Sequence, residues 1–198
     1  MQERSTEAGV SPAGTGFLRD PATHAVLALG ITQIIAWGTT LYALGVLGKP
    51  IAADTGWSQT LVFGGLTVGL LVSGAVSTFV GRLLDRHGGR ATMSIGSVVM
   101  AAGLVLLSLV TDPYTYLAAW AVLGIAMRLS LYDSAFAALV QVAPSRGRRA
   151  ISYLTLFGGF ASSIFWPIGH ALNGAVGWRQ TLLIFAAANI LICLPLHW

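Results

Sequence analysis

The decapeptide Gly81-Arg82-Leu83-Leu84-Asp85-Arg86-His87-Gly88-Gly89-Arg90 holds nearly a quarter of the chain's ionisable side chains. It stands between residues 58–80 and 91–110, two stretches that contain no Asp, Glu, Lys or Arg. A helix of about 20 apolar residues spans the hydrocarbon core of a bilayer. The decapeptide therefore reads as a tight turn of charge between two membrane helices. Gly81 lets helices approach closely, and Gly88 and Gly89 permit positive φ in the turn. Asp85 is suited to accept hydrogen bonds at a helix start, and Arg82 and Arg86, four apart, share one helix face.

The same economy of charge runs through the whole chain. Hydrophobic residues make up 55% and charged residues 9% of its 198 residues, against about 25% charged in an average soluble domain. A soluble protein with one anchor is thereby excluded. The net charge of +4 does not point to nucleic acid, because the basic residues sit in short loops between apolar runs. The one cysteine, Cys193, lies in the last apolar run, so no disulfide within the chain is possible. No metal-ligand spacing, phosphate-binding loop or redox pair occurs, and neither metal nor cofactor is expected.

Working outward, residues 1–24 read as a disordered cytoplasmic tail rich in Gly, Ser and Thr. Residues 25–198 read as an all-α bundle of six transmembrane helices, near 25–47, 58–80, 91–110, 114–140, 150–176 and 181–198. The tail, the second connection and the fourth connection carry Arg4, Arg19, Arg82, Arg86, Arg90, Arg146, Arg148 and Arg149, whereas the opposite side carries Lys49 and Arg179. Lys and Arg concentrate on the cytoplasmic side of a membrane protein, so both termini are expected there, in a bacterial inner membrane. Gly56-Trp57-Ser58-Gln59-Thr60-Leu61 is echoed by Gly177-Trp178-Arg179-Gln180-Thr181-Leu182. Each reads as a glycine turn with an interfacial Trp anchor before an inward-running helix.

The pattern G-x-x-x-D-R-x-G-x-R, matched here by Gly81, Asp85, Arg86, Gly88 and Arg90, resembles the signature loop of the major facilitator superfamily. Gly89 replaces a residue that is usually basic there. The resemblance implies two inverted three-helix repeats forming one half of a twelve-helix transporter, with the site where the halves meet. It also implies a latch, in which the loop's acidic residue and arginines engage the other half. The chain is accordingly expected to be an N-terminal six-helix half, completed by a second half or a second copy. In general look it resembles the monocarboxylate-porter-like branch.

Arg128 stands about midway along the fourth span, where a charge costs a few kcal/mol and usually faces a cavity or partner. Its setting in Gly124-Ile-Ala-Met-Arg128 resembles the family's fourth-helix arginine, although the Gln-Gly that often follows is missing. It suits a site for a small organic anion, or a partner for a proton-carrying carboxylate. Asp133 follows five residues on, roughly 140° around an unbroken helix, so the two are expected on different faces. Tyr132 is expected to share the face of Arg128 and donate to the same ligand. Gln33, Trp37 and Thr40 recur at helical spacing as one polar-aromatic stripe, a second wall for the substrate. On the fifth span, Gly158 and Gly159 are expected to admit a neighbouring helix, and Pro167 to kink it. Pro167 with Gly169 partly resembles an antiporter Gly-Pro signature, with Trp166 in the glycine's place.

The expected partners are therefore the lipid bilayer, a small-molecule substrate with protons as candidate co-substrate, and the second half, with no nucleic acid and no enzyme activity. An intramembrane serine protease would need a G-x-S-G-like turn and a mid-membrane histidine on another helix. Gly159-Phe-Ala-Ser162-Ser163 lacks that turn, and His170 lies on the same helix near its end. A structural or degenerate half-transporter that moves nothing remains the alternative.

Overall fold

The computed structural model describes residues 21–142 and 147–198. Most of the expected tail, and Arg4, Arg19 and Arg146 of the charge count, lie outside the described residues. The described chain is helical throughout, apart from short connections. The first helical run consists of α1 (Pro21–Trp37), a π-helical turn (Gly38–Tyr42) and α2 (Ala43–Thr55). Then come α3 (Gln59–Ala75), α4 (Ser77–Ser108), α5 (Pro113–Ser130) and α6 (Tyr132–Val142). The last run holds α7 (Gly147–Gly159), α8 (Ala161–Ala188), a second π-helical turn (Asn189–Cys193) and α9 (Leu194–His197). The stretches Thr23–Thr55, Ser77–Ser108, Pro113–Val142 and Gly147–His197 are long and apolar enough to cross a membrane, and Gln59–Ala75 is a shorter apolar helix.

The chain punctuates these helices with ordinary capping chemistry. Gly56 takes φ 73° after α2, and its N–H donates to Ala52 O, the left-handed stop that glycine adopts most easily. Ser58 then caps α3 by accepting from the Leu61 N–H at 3.2 Å. Asp112 caps α5 ahead of Pro113, accepting from the Tyr114 and Thr115 N–H groups. Those bonds, from the Thr115 backbone and hydroxyl foremost, hold the exposed Asp112 carboxyl below the usual carboxylate range.

Within α4 and α8, single glycines make the turns. Gly88 (φ 76°, ψ 172°) and Gly177 (φ 80°, ψ 167°) have nearly the same backbone conformation, and each joins two helices. That region is essentially restricted to glycine. The threonine four residues on bonds back in both cases, Thr92 Oγ1 to Gly88 O at 2.9 Å and Thr181 Oγ1 to Gly177 O at 2.8 Å. Hence the tight charged turn expected over 81–90 narrows to a single residue. Residues 81–87 are helical, and the change of direction falls at Gly88 alone. Asp85 consequently lies inside a helix rather than at its start, and Gly89 is helical and pressed against Ala138. Gly56, by contrast, has ψ 8°, so the Gly-Trp echo joins two unlike turns.

Small residues set the packing, as expected where lipid removes the hydrophobic drive between helices. A methyl group at Gly124 of α5 would strike the Gly69 carbonyl of α3, and the Trp120 indole occupies the space that Gly65 leaves. Beside them the Tyr116 hydroxyl donates to Val62 O at 2.7 Å. The two π-helical turns also meet, Asn189 Nδ2 donating to Thr39 Oγ1 at 3.1 Å, both residues buried. Gly158 behaves as expected, since a methyl there would collide with the Tyr132 hydroxyl. Gly81 and Gly159 do not, because a methyl at either meets nothing within 4 Å. Helix α8 runs through Pro167. The interruption of that span lies at Phe160, where the turn tightens and the Phe160 N–H bonds three residues back to Phe157 O at 3.1 Å.

Gly124→Ala should lower the stability of the detergent-purified protein by about 1–3 kcal/mol. Gly81→Ala should leave it unchanged or slightly raised. Thermal unfolding followed by tryptophan fluorescence reads both; equal losses would show that close approach is not what Gly124 supplies.

Candidate functional site

The fourth membrane stretch is not one helix. After Ser130 the backbone at Leu131 becomes extended (φ −81°, ψ −168°) before α6 begins at Tyr132. The Arg128 and Asp133 side chains, expected on different faces, are joined: Arg128 Nη1 donates to Asp133 Oδ2 at 2.6 Å. The expectation assumed the uniform rotation of an unbroken helix, which Leu131 cancels. The pair is reachable, with the Arg128 side chain 28% and the Asp133 side chain 65% exposed. A guanidinium carries five N–H donors, so most of the Arg128 donors have no acceptor among the described residues.

The same break carries Tyr132 away from the ligand-donating position expected of it. Its hydroxyl donates to Thr155 O on α7 at 3.3 Å. Its ring stacks on Phe136 at 5.0 Å and meets Trp37 at 5.0 Å. Trp37 also approaches Tyr42 at 6.4 Å. Partly exposed aromatic rings from the first and fourth stretches thus form one row.

Gln33 and Trp37 are linked as their spacing suggests, the indole N–H donating to Gln33 Oε1 at 3.2 Å. Gln33 itself is fully buried, and its Nε2 donates to Ser130 O at 2.7 Å. Thr40 leaves the stripe. The wider π-helical turn at Gly38–Tyr42 delays the rotation. Thr40 is buried, its hydroxyl bonds to Ala36 O at 2.6 Å, and it lines an interior pocket with Leu44, Leu104 and Trp120. The structure therefore brings Gln33, Trp37 and Tyr132 beside the Arg128–Asp133 pair, without Thr40.

At the end of the bundle that carries Gly88, Arg82, Asp85, Arg86 and Arg90 are exposed, while the Gly89 N–H donates to Gln141 Oε1 at 3.2 Å. No group of three or more His, Cys, Asp or Glu positioned for a metal ion occurs among the described residues.

Residues 26–198 match the family model described as Major Facilitator Superfamily. The chain belongs to the major facilitator superfamily. No curated protein matches it. As a member of this superfamily it is an integral membrane transporter of small molecules, consistent with the apolar length of its helices.

The superfamily chain has one polar assembly that reading residues singly did not reveal. At the end opposite Gly88, Trp178 Nε1 donates to Asp54 Oδ2 at 3.1 Å, and Arg179 Nη2 lies 3.6 Å from the same oxygen. Arg179 Nη1 also donates to Ser108 O at 2.8 Å and Val110 O at 3.0 Å, and its guanidinium lies 4.2 Å from the Trp178 ring centre. Trp178 is buried, not an interfacial anchor. The available signal was Asp54, the one acid near that end of the first span, set against Arg179, one of the two cations there.

Arg179→Ala should destabilise the protein by about 1–3 kcal/mol, because two carbonyls lose a charged donor. Asp54→Asn, which removes the ion pair but keeps an oxygen for the Trp178 indole, should cost less, about 1 kcal/mol or below, the pair being half exposed. Thermal unfolding of the two variants tests the order; the reverse order would make the carboxylate, not the carbonyls, the main partner of Arg179.

Proposed function

We propose that the chain makes six membrane crossings as two inverted three-helix repeats, one half of a twelve-helix secondary transporter that works by alternating access. Counting helix breaks supports six, since Gly88 and Gly177 each divide a long run in two. The pattern G-x-R-x-T occurs at both, as Gly88-Gly89-Arg90-Ala91-Thr92 and Gly177-Trp178-Arg179-Gln180-Thr181. The step along the chain that separates these glycines also carries the π-helical turn 38–42 onto 127–131, where α5 ends. The first and fourth spans are therefore interrupted at corresponding places. Lys and Arg counts support a cytoplasmic position for the Gly88 end and both termini, and the membrane is a bacterial inner membrane.

The substrate is a small organic anion, a preference shared with the monocarboxylate-porter-like branch. The observation that carries this reading is Arg128, held on Asp133 at a helix break with most of its donors free among the described residues. Arginine receives a carboxylate on two parallel N–H bonds, and an incoming anion competes with Asp133 for it. Asp133 is the carboxylate that takes up a coupled proton when that contact opens. The flank exposing this pair is closed by a second six-helix half or a second copy. Exposed Asp85, Arg86 and Arg90, set by the turn at Gly88, latch the two halves on the cytoplasmic side.

Uptake of radiolabelled lactate and benzoate by cells expressing the full chain, under an imposed inward proton gradient, tests this. Arg128→Ala should lower uptake about tenfold or more, since a hydrogen bond to a charged group contributes roughly 1.5–3 kcal/mol. Asp133→Asn should weaken its dependence on the proton gradient. Uptake indifferent to Arg128→Ala removes the arginine from the site. No uptake by correctly inserted protein, either alone or together with a second six-helix half, favours the structural half-transporter.

A further inference from the structure

We propose that Gln33, together with Ser134, is a positioning residue that holds open the break in the fourth span and so keeps Arg128 against Asp133. This rests on the Arg128 site described above. In a continuous helix the Arg128 carbonyl accepts from the N–H four residues on, and the Ser130 carbonyl from that of Ser134. The extended backbone at Leu131 interrupts that ladder. In hydrocarbon each unsatisfied backbone group costs several kcal/mol. A break there persists only where other donors take up the freed carbonyls.

Two side chains do so. Ser134 Oγ donates to Arg128 O at 2.9 Å, within the fourth span. Gln33 Nε2 reaches across from α1 to Ser130 O at 2.7 Å. Two backbone bonds flank the break, the Leu131 N–H bonding to Met127 O at 2.9 Å and the Ala135 N–H to Leu131 O at 3.1 Å. The Gln33 amide is locked in this sense, because its Oε1 accepts from Trp37 Nε1 at 3.2 Å. With the oxygen turned to the indole, the nitrogen must face Ser130.

Gln33 is 0% exposed and both ends of its amide are engaged. It therefore does not reach a ligand, and acts through the backbone of the fourth span. Without the break, five residues separate Arg128 from Asp133 by roughly 140° of rotation, and the carboxylate turns away from the guanidinium. Trp37, held by the same amide, ties that geometry to the aromatic row beside the site. The glutamine of the first span that looks like a substrate ligand is thus the support for one.

A double-mutant cycle between Arg128 and Asp133, read by thermal unfolding of the purified full chain, tests the proposal. With Gln33 present, Arg128→Ala and Asp133→Ala should be non-additive, the double variant melting close to either single one. In the Gln33→Leu background the two shifts should become additive. Ser134→Ala should also remove the non-additivity and Ser134→Thr, which keeps the hydroxyl, should restore it, so the test survives if Gln33→Leu does not fold. Undiminished coupling in the Gln33→Leu or Ser134→Ala background overturns the proposal. The cycle contains no ligand, so its outcome is separate from whether Arg128 binds an anion. If the cycle succeeds, Ser134→Ala should also alter the half-saturation for benzoate uptake about tenfold, the equivalent of about 1.4 kcal/mol, with little change in maximal rate.

Discussion

Everything in this molecule depends on keeping backbone polar groups paired where no water can reach them. Helix satisfies that demand locally, which is why the described chain is helical almost from end to end. Every departure from regular helix must then bring its own replacement donors. Several do: Thr92 and Thr181 bond back at the glycine turns, Thr39, Thr40 and Asn189 bond to carbonyls at the π-helical turns, and Gln33 and Ser134 serve the break at Leu131.

The proposed site lies at one of these departures. A charged residue on an unbroken apolar helix would stand alone in lipid, at considerable cost. Breaking the fourth span lets Arg128 meet a carboxylate five residues away on the same strand of chain, while one edge of the pair stays reachable. The arginine is thereby neutralised without being sealed off, as the proposed substrate site requires if it is to fill and empty. The polar assembly of Asp54, Trp178 and Arg179 answers a different need. It ties the end of the first span to the connection before α5 and to the start of the last span, so that end of the bundle is stapled by polar contacts as well as by packing.

Three of the expectations that failed did so for one physical reason. Placing Asp133 off the Arg128 face, Tyr132 on it, and Thr40 in line with Gln33 all assumed uniform helical rotation. A π-helical turn in the first span and an extended residue in the fourth each reset that rotation. Neither interruption has a strong local sign, since Gly38-Thr-Thr-Leu-Tyr42 and Ser130-Leu131-Tyr132 are compatible with continuous helix. The G-x-R-x-T repeat was legible, but the similar Gly-Trp pairs at 56 and 177 masked it. Their glycines adopt different conformations.

What the sequence determined by itself was the kind of molecule. Long uncharged runs and a charged decapeptide between two of them require membrane helices and carry the superfamily's signature, because apolar length and the cost of buried charge are properties of composition alone. Which polar residues meet was decided only by the tertiary structure. Gln33 finds Ser130, and Trp178 finds Asp54, across long separations in the chain. Arg128 finds Asp133 only because a residue of the first span holds the fourth one broken. Such contacts depend on how one helix answers the unpaired backbone of another, which no spacing within a single helix records.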